Sequence, residues 1–146
     1  MHLAELNLAR LKYDADDPRV APFMKALDAV NAIAERSEGF VWRYTGETGQ
    51  AVDTRVEGDP RVIVNMSVWE GVAPLENFVW NTVHRKFYQR RDEWFDAFDG
   101  MHLAMWWVTP GTEPSVSDAL ARLAHLQENG NTDHAFGWSH LPDEKL

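Results

Sequence analysis

RVIVNMSVWEGVAPLENFVWNTVHRKFYQRRDEWFDAF, residues 61–98, is the stretch whose reading decides the fold. Val62, Val64, Met66 and Val68 alternate with Ile63, Asn65, Ser67 and Trp69, so Arg61–Glu70 reads as a strand with one apolar and one half-polar face. Gly71–Pro74 opens a helix, with Pro74 in its first turn, and the pattern carries that helix to about Phe98. Leu75, Phe78, Val79, Thr82, Phe87, Trp94 and Phe98 recur at roughly helical spacing and are expected to face the sheet. A second stripe, Trp80, His84, Tyr88, Arg91 and Phe95, runs mostly in steps of four along one flank.

Working outward, LAELNLARL at 3–11 reads as a strand. Leu3, Glu5, Asn7, Ala9 and Leu11 share one face, and Ala4, Leu6, Leu8 and Arg10 the other. Asp17-Pro18 starts a helix that runs to about Ser37, with a buried stripe of Val20, Phe23, Met24, Leu27, Val30, Asn31 and Ala34. Gly39 ends it. A short strand follows at Phe40–Thr45, then a polar, turn-rich connection over 46–60. Met101–Val108 reads as a strand and Ser115–Asn129 as an amphipathic helix capped by Ser115 or Ser117, with Gly130 terminating it. His134–His140 is expected to be a last strand.

This order gives one α+β domain over residues 1–146: a ferredoxin-like antiparallel sheet with two helices on one face, plus a C-terminal helix and strand. The helix-free face needs a cover, and a second copy of the chain is the simplest one. Seven tryptophans in 146 residues exceed what one small core needs, which points to a homodimer interface or a small-molecule pocket.

The formal net charge of −9 argues against a nucleic-acid partner, which needs a concentrated basic face. With no cysteine, disulfides, thiolate metal sites and cysteine nucleophiles are excluded. The six histidines show no HxH, HxxxH or HExxH spacing, so no metal site is expected. The N-terminus lacks the pattern of a secretory signal, and no apolar run is long enough to span a membrane, so the expected compartment is the cytoplasm. Glycine patterns for phosphate loops, GxGxxG and GxxxxGK, are missing.

GFVWR at 39–43, NMSVWE at 65–70, HRKFYQRRDEWF at 84–95, MWWVTPGTEPSVSDALARLAHLQENG at 105–130 and AFGW at 135–138 together resemble the bacterial family called domain of unknown function 3291. The resemblance covers nearly the whole chain. It implies a dimeric α/β barrel, in the broad superfamily of the antibiotic-biosynthesis and haem-degrading monooxygenases, and it implies no activity. The haem-degrading members carry an Asn on the first strand and a Trp and a His around the second helix. Asn7, Trp80 and His84 lie in roughly those elements. Trp80 and His84 stand only four residues apart, which departs from that pattern, and haem ligation is not carried over.

The residues themselves define the candidate chemistry. His84 has the intrinsic pKa of a general acid–base group. Trp80, Tyr88 and Arg91 share its flank and suit an anionic or aromatic ligand; the alternative reading is that the same flank packs against a partner subunit or the C-terminal helix. Asn7, Arg43 and Asn65 fall among apolar neighbours as polar anchors or as buried interface hydrogen bonds. Glu5 stands in the same setting. Trp42 and one of the adjacent Trp106 and Trp107, the latter assigned to the barrel interior, would form walls.

Three readings follow. In the first, the chain is a cofactor-independent, monooxygenase-like enzyme with His84 catalytic and Asn7, Trp42, Arg43, Asn65, Trp80, Tyr88, Arg91 and Trp107 contacting a hydrophobic or aromatic substrate. In the second, it holds haem or another planar ligand without turnover. In the third, it is a structural dimer whose tryptophans fill the interface.

Overall fold

The computed structural model describes residues 1–13, 16–45, 62–81, 95–96 and 103–140. Strand β1 is His2–Leu11. A single 3-10 turn, Pro18–Val20, leads into helix α1, Ala21–Arg36. The Asp17 carboxylate accepts from Arg19 N, so Asp17 caps this entry as its sequence position indicates. Strand β2 is Phe40–Arg43, strand β3 Val62–Trp69 and helix α2 Val72–Asn81. Two residues, Phe95–Asp96, form β4; β5 is Leu103–Val108 and helix α3 is Val116–Asn129. Ser115 caps α3 by accepting from Asp118 N at 3.0 Å.

All strand pairs are antiparallel. The order is β2-β3-β1, with β4 and β5 both on the outer edge of β1. β5 pairs with β1 from His2 to Asn7, and β4 takes up Arg10 and Leu11. Phe95 and Asp96 therefore do not continue a helix to Phe98, as their periodicity suggests. β5 ends its pairing at Asn7, which leaves backbone groups on the far end of β1 to be satisfied, and a two-residue ladder does so. The expected strand at 134–140 also shortens. Only Phe136 bridges Met105, and Trp138–His140 closes into a 3-10 turn.

Each sheet face has its own helical cover. Leu3, Trp69 and Met105 pack with Val30 and Ala34 of α1, Val72, Leu75 and Phe78 of α2, and Phe136. Trp69 stacks on Phe78 at 5.3 Å and meets Phe40 edge-on at 5.5 Å. On the other face, Ala4, Leu6, Val64, Met66, Val68 and Trp106 pack with Ala119, Leu123 and Leu126 of α3. The half-polar face of β3, carrying Asn65, Ser67 and Trp69, is thus the face beneath α1 and α2. The period of two decides this: once Leu3 and Trp69 are buried under those helices, Glu5 and Ser67 must follow them. The opposite face draws its cover from α3 of the same chain.

Gly39 turns the chain from α1 into β2 with φ +83°, and a Cβ built there would lie 2.4 Å from Pro74 Cβ and Cγ at the start of α2. Only glycine fits both the backbone and the space.

Candidate functional site

The register on the α1/α2 side of the sheet sets polar side chains in rows. Leu3 stands between Trp69 and Trp107; Glu5 between Ser67 and Met105; Asn7 between Asn65 and Leu103. A register shift in β2 between Phe40 and Trp42 brings Arg43 opposite Ser67, extending the Glu5 row. One face therefore carries a polar strip of Glu5, Ser67, Asn7, Asn65 and Arg43 below an aromatic row.

Glu5 is the centre of that strip. It is buried, and its Oε2 accepts from Ser67 Oγ at 2.9 Å. Trp69 Nε1 in turn donates to Ser67 Oγ at 2.9 Å. Burial pushes the Glu5 carboxyl up to about 7, against the Ser67 hydrogen bond, which pulls it down. An isolated carboxylate in an apolar setting is expensive, and keeping the proton to a higher pH relieves that cost. Near neutral pH the group is therefore poised to give or take a proton. Arg43 does not neutralise it: its guanidinium Nε lies 2.6 Å from Glu35 Oε2 on α1.

The structure unites part of the candidate set. Asn7, Asn65 and Arg43 share the Glu5 face. Asn7 is half-buried and Asn65 exposed. Trp42 is a correction: it pairs with Val68 and packs on the α3 side with Tyr44, away from the strip, because the shift in β2 moves it to the other face. Trp106 is fully buried under α3, whereas Trp107 is 39% exposed at the end of the aromatic row, 6.2 Å from Phe136. Trp80 lies in the last turn of α2. Its side chain, with all of His84, Tyr88 and Arg91, lies outside the described residues. Phe95, placed on the same flank by periodicity, belongs to β4.

Sequence reasoning marked Glu5 only as one polar residue among apolar neighbours and Ser67 only as part of the half-polar face of β3, not as a pair. The signal was present: a Glu two residues before an Asn on one face of an otherwise apolar strand, and a Ser between an Asn and a Trp. Only the β1–β3 register joins the two signals.

Among the described residues, no group of three or more His, Asp or Glu side chains could hold a metal ion, and no helix is long and apolar enough to cross a membrane.

The family description that matches the chain is a domain of unknown function (DUF3291), over residues 2–145. No curated protein matches it. Among solved structures, a conserved protein from Methanosarcina mazei Go1 is similar at a TM-score of 0.56 and 10% identity, covering 75% of this chain and 94% of that one. A Pseudomonas aeruginosa protein is similar at 0.53 and 13% identity, covering 74% and 94%. A Nitrosomonas europaea protein of unknown function is similar at 0.53 and 9% identity, covering 78% and 95%. At these identities the likeness concerns the fold alone.

Proposed function

For a chain that belongs to the domain of unknown function (DUF3291) family, we propose a small-molecule enzyme built on a homodimer of ferredoxin-like domains, in which Glu5 transfers a proton to or from a hydrophobic or aromatic substrate. The observation that supports it is the buried Glu5 carboxyl, held by Ser67, unpaired with Arg43 and raised to about 7. A structural carboxylate would sit in an ion pair or at the surface; one kept near neutrality among Leu3, Met105 and Trp69 suits acid–base work. The reaction is monooxygenase-like and cofactor-independent. Glu5 takes the proton of a phenol or enol, the deprotonated substrate passes an electron to dioxygen, and the apolar rows exclude water. Asn7 and Asn65 supply amides to orient the polar end of the substrate, and Trp107 offers an aromatic wall. His84, read from the sequence as the acid–base group, and its neighbours Tyr88 and Arg91 lie outside the described residues, and the proposal rests on Glu5 instead.

The test is oxygen uptake with a panel of phenolic and enolic substrates. Glu5→Gln keeps the volume and the hydrogen-bonding shape and removes the acid–base group. Turnover should fall by 10²-fold or more, on the order of the usual contribution of a general base, with the fold retained by circular dichroism. Full turnover in Glu5→Gln rejects the reading. A Soret band formed on adding haem, without oxygen uptake, favours a non-catalytic binder instead.

The homodimer is the second part of the proposal. Trp107 and Val41 are exposed large apolar side chains that an interface would cover. The interface should bury more than about 1,000 Å² in total. A monomer mass that does not change with concentration in light scattering rejects it.

A further inference from the structure

We propose that Ser67 and Trp69 are positioning residues that fix which oxygen of Glu5 carries the exchangeable proton: Oε1 rather than Oε2. The inference rests on the reading of Glu5 as the proton-transfer group and deepens it.

The geometry is a three-member chain across the sheet. An indole N–H only donates, and Trp69 Nε1 donates to Ser67 Oγ at 2.9 Å. That bond sets the orientation of the hydroxyl. Its own proton then has Glu5 Oε2, 2.9 Å away, as its acceptor. The reverse arrangement, with Oε2–H donating to Ser67, would leave the serine proton without that acceptor inside a buried site. Oε2 therefore accepts in both protonation states of Glu5, and in the neutral acid it is the carbonyl oxygen. The proton comes and goes at Oε1.

The charged neighbours do not disturb this. Arg43, opposite Ser67 on β2, is engaged by Glu35 of α1. Among the described residues, the influences on Glu5 are burial, which raises it, and the Ser67 bond, which lowers it. From α2, the side chains buried against this cluster are the apolar Val72, Leu75 and Phe78.

The chemical consequence is directional. A substrate O–H gives its proton to Oε1, one O–H bond breaks and one forms, and no electron moves in that step. The substrate becomes an oxyanion while Glu5 becomes a neutral acid whose carbonyl is still held by Ser67. Residues that never touch the substrate thus decide from which side it must approach. The class this favours is a weakly acidic hydroxyl, phenolic or enolic, presented to Oε1.

The test is a pH titration of the full, ligand-free chain by infrared difference spectroscopy, with the protonated-carboxyl C=O band of Glu5 assigned by its loss in Glu5→Gln. The Ser67 bond to the carbonyl should lower that band in the wild type relative to Ser67→Ala. The midpoint should rise by about one pH unit or more in Ser67→Ala, the loss of one hydrogen bond to the charged form. Ser67→Thr should restore both. Trp69→Phe, which frees the hydroxyl to turn, should raise the midpoint by less. Trp69 is fully buried, so if that variant does not fold the Ser67 pair decides alone. An unchanged midpoint and band in Ser67→Ala overturn the inference. The titration uses no substrate, so its failure is distinct from a failure of turnover. The expected bands together with full oxygen uptake in Glu5→Gln would support the proton's place on Oε1 and reject Glu5 as the reacting group.

Discussion

The two faces of this sheet use the same strands for different ends. On the α3 side, β1, β3 and β5 present Ala4, Leu6, Leu8, Val62, Val64, Met66, Val68, Ala104 and Trp106, a continuous apolar surface between His2 and Arg10 of β1. On the α1/α2 side the same strands interleave Leu3, Trp69 and Met105 with Glu5, Ser67, Asn7 and Asn65. The first face is what a sheet needs in order to fold. The second gives up packing for polar groups at its centre, and burying an ionised carboxylate there costs stability unless it is paired or holds its proton. A polar residue at a strand's centre is informative only when its neighbours across the register are known.

The largest expected effect tests the packing face. Trp106→Ala should lower stability by about 3–5 kcal/mol, because the side chain is fully buried and the cavity under α3 cannot close. Urea unfolding measures it. A loss below about 1 kcal/mol would mean that α3 does not cover that face and that the contrast between the faces is wrong.

The second effect tests the polar face through pH. The folded-state pKa of Glu5 is raised from 4.5 to about 7. Its proton is therefore held more tightly by the folded chain, and the associated stability is full below about 4.5 and lost as pH rises through 7. The shift corresponds to about 3 kcal/mol. The stability difference between wild type and Glu5→Gln should accordingly move in favour of the variant as pH rises from 4.5 to 8, read by urea unfolding at each pH. A difference that stays flat across that window would show that Glu5 is not a buried, unpaired carboxyl.

A third test addresses how the helical layer is set over the polar face. Gly39→Ala must place a Cβ against Pro74 while holding φ at +83°. A cost of about 1–3 kcal/mol is expected, visible as a lower melting temperature. An unchanged melting temperature would mean that α1 and α2 can shift relative to β2.

The smallest effect sharpens the division of roles. Asn65 is exposed although it pairs with Asn7. Asn65→Ala should change stability by less than about 0.5 kcal/mol while weakening substrate binding, measured as a rise in KM with phenolic substrates. A large stability loss with KM unchanged would assign Asn65 to packing.

The sequence by itself determined most of the elements. Alternation in LAELNLARL and VIVNMSVW sets two strands and the membership of their faces. Asp17, Pro18, Gly39, Ser115 and Gly130 mark helix ends through capping and backbone chemistry that act locally. Local rules could not reach what depends on partners far along the chain. Phe95 and Asp96 fit a helical stripe, yet the unfilled end of β1 draws them into β4. Trp42 reads as a wall of the polar site until the shift in β2 turns it to the other face. Which face of β3 lies under α1 and α2, and which under α3, follows from how these helices divide the two faces of the sheet. Glu5 and Ser67 stand 62 residues apart, and each is an ordinary polar residue by itself; only the antiparallel register sets one against the other and removes both from water. Burial and register are properties of the assembled sheet, and they turn a glutamate that the sequence marks only as a polar residue among apolar neighbours into the group on which the proposed chemistry depends.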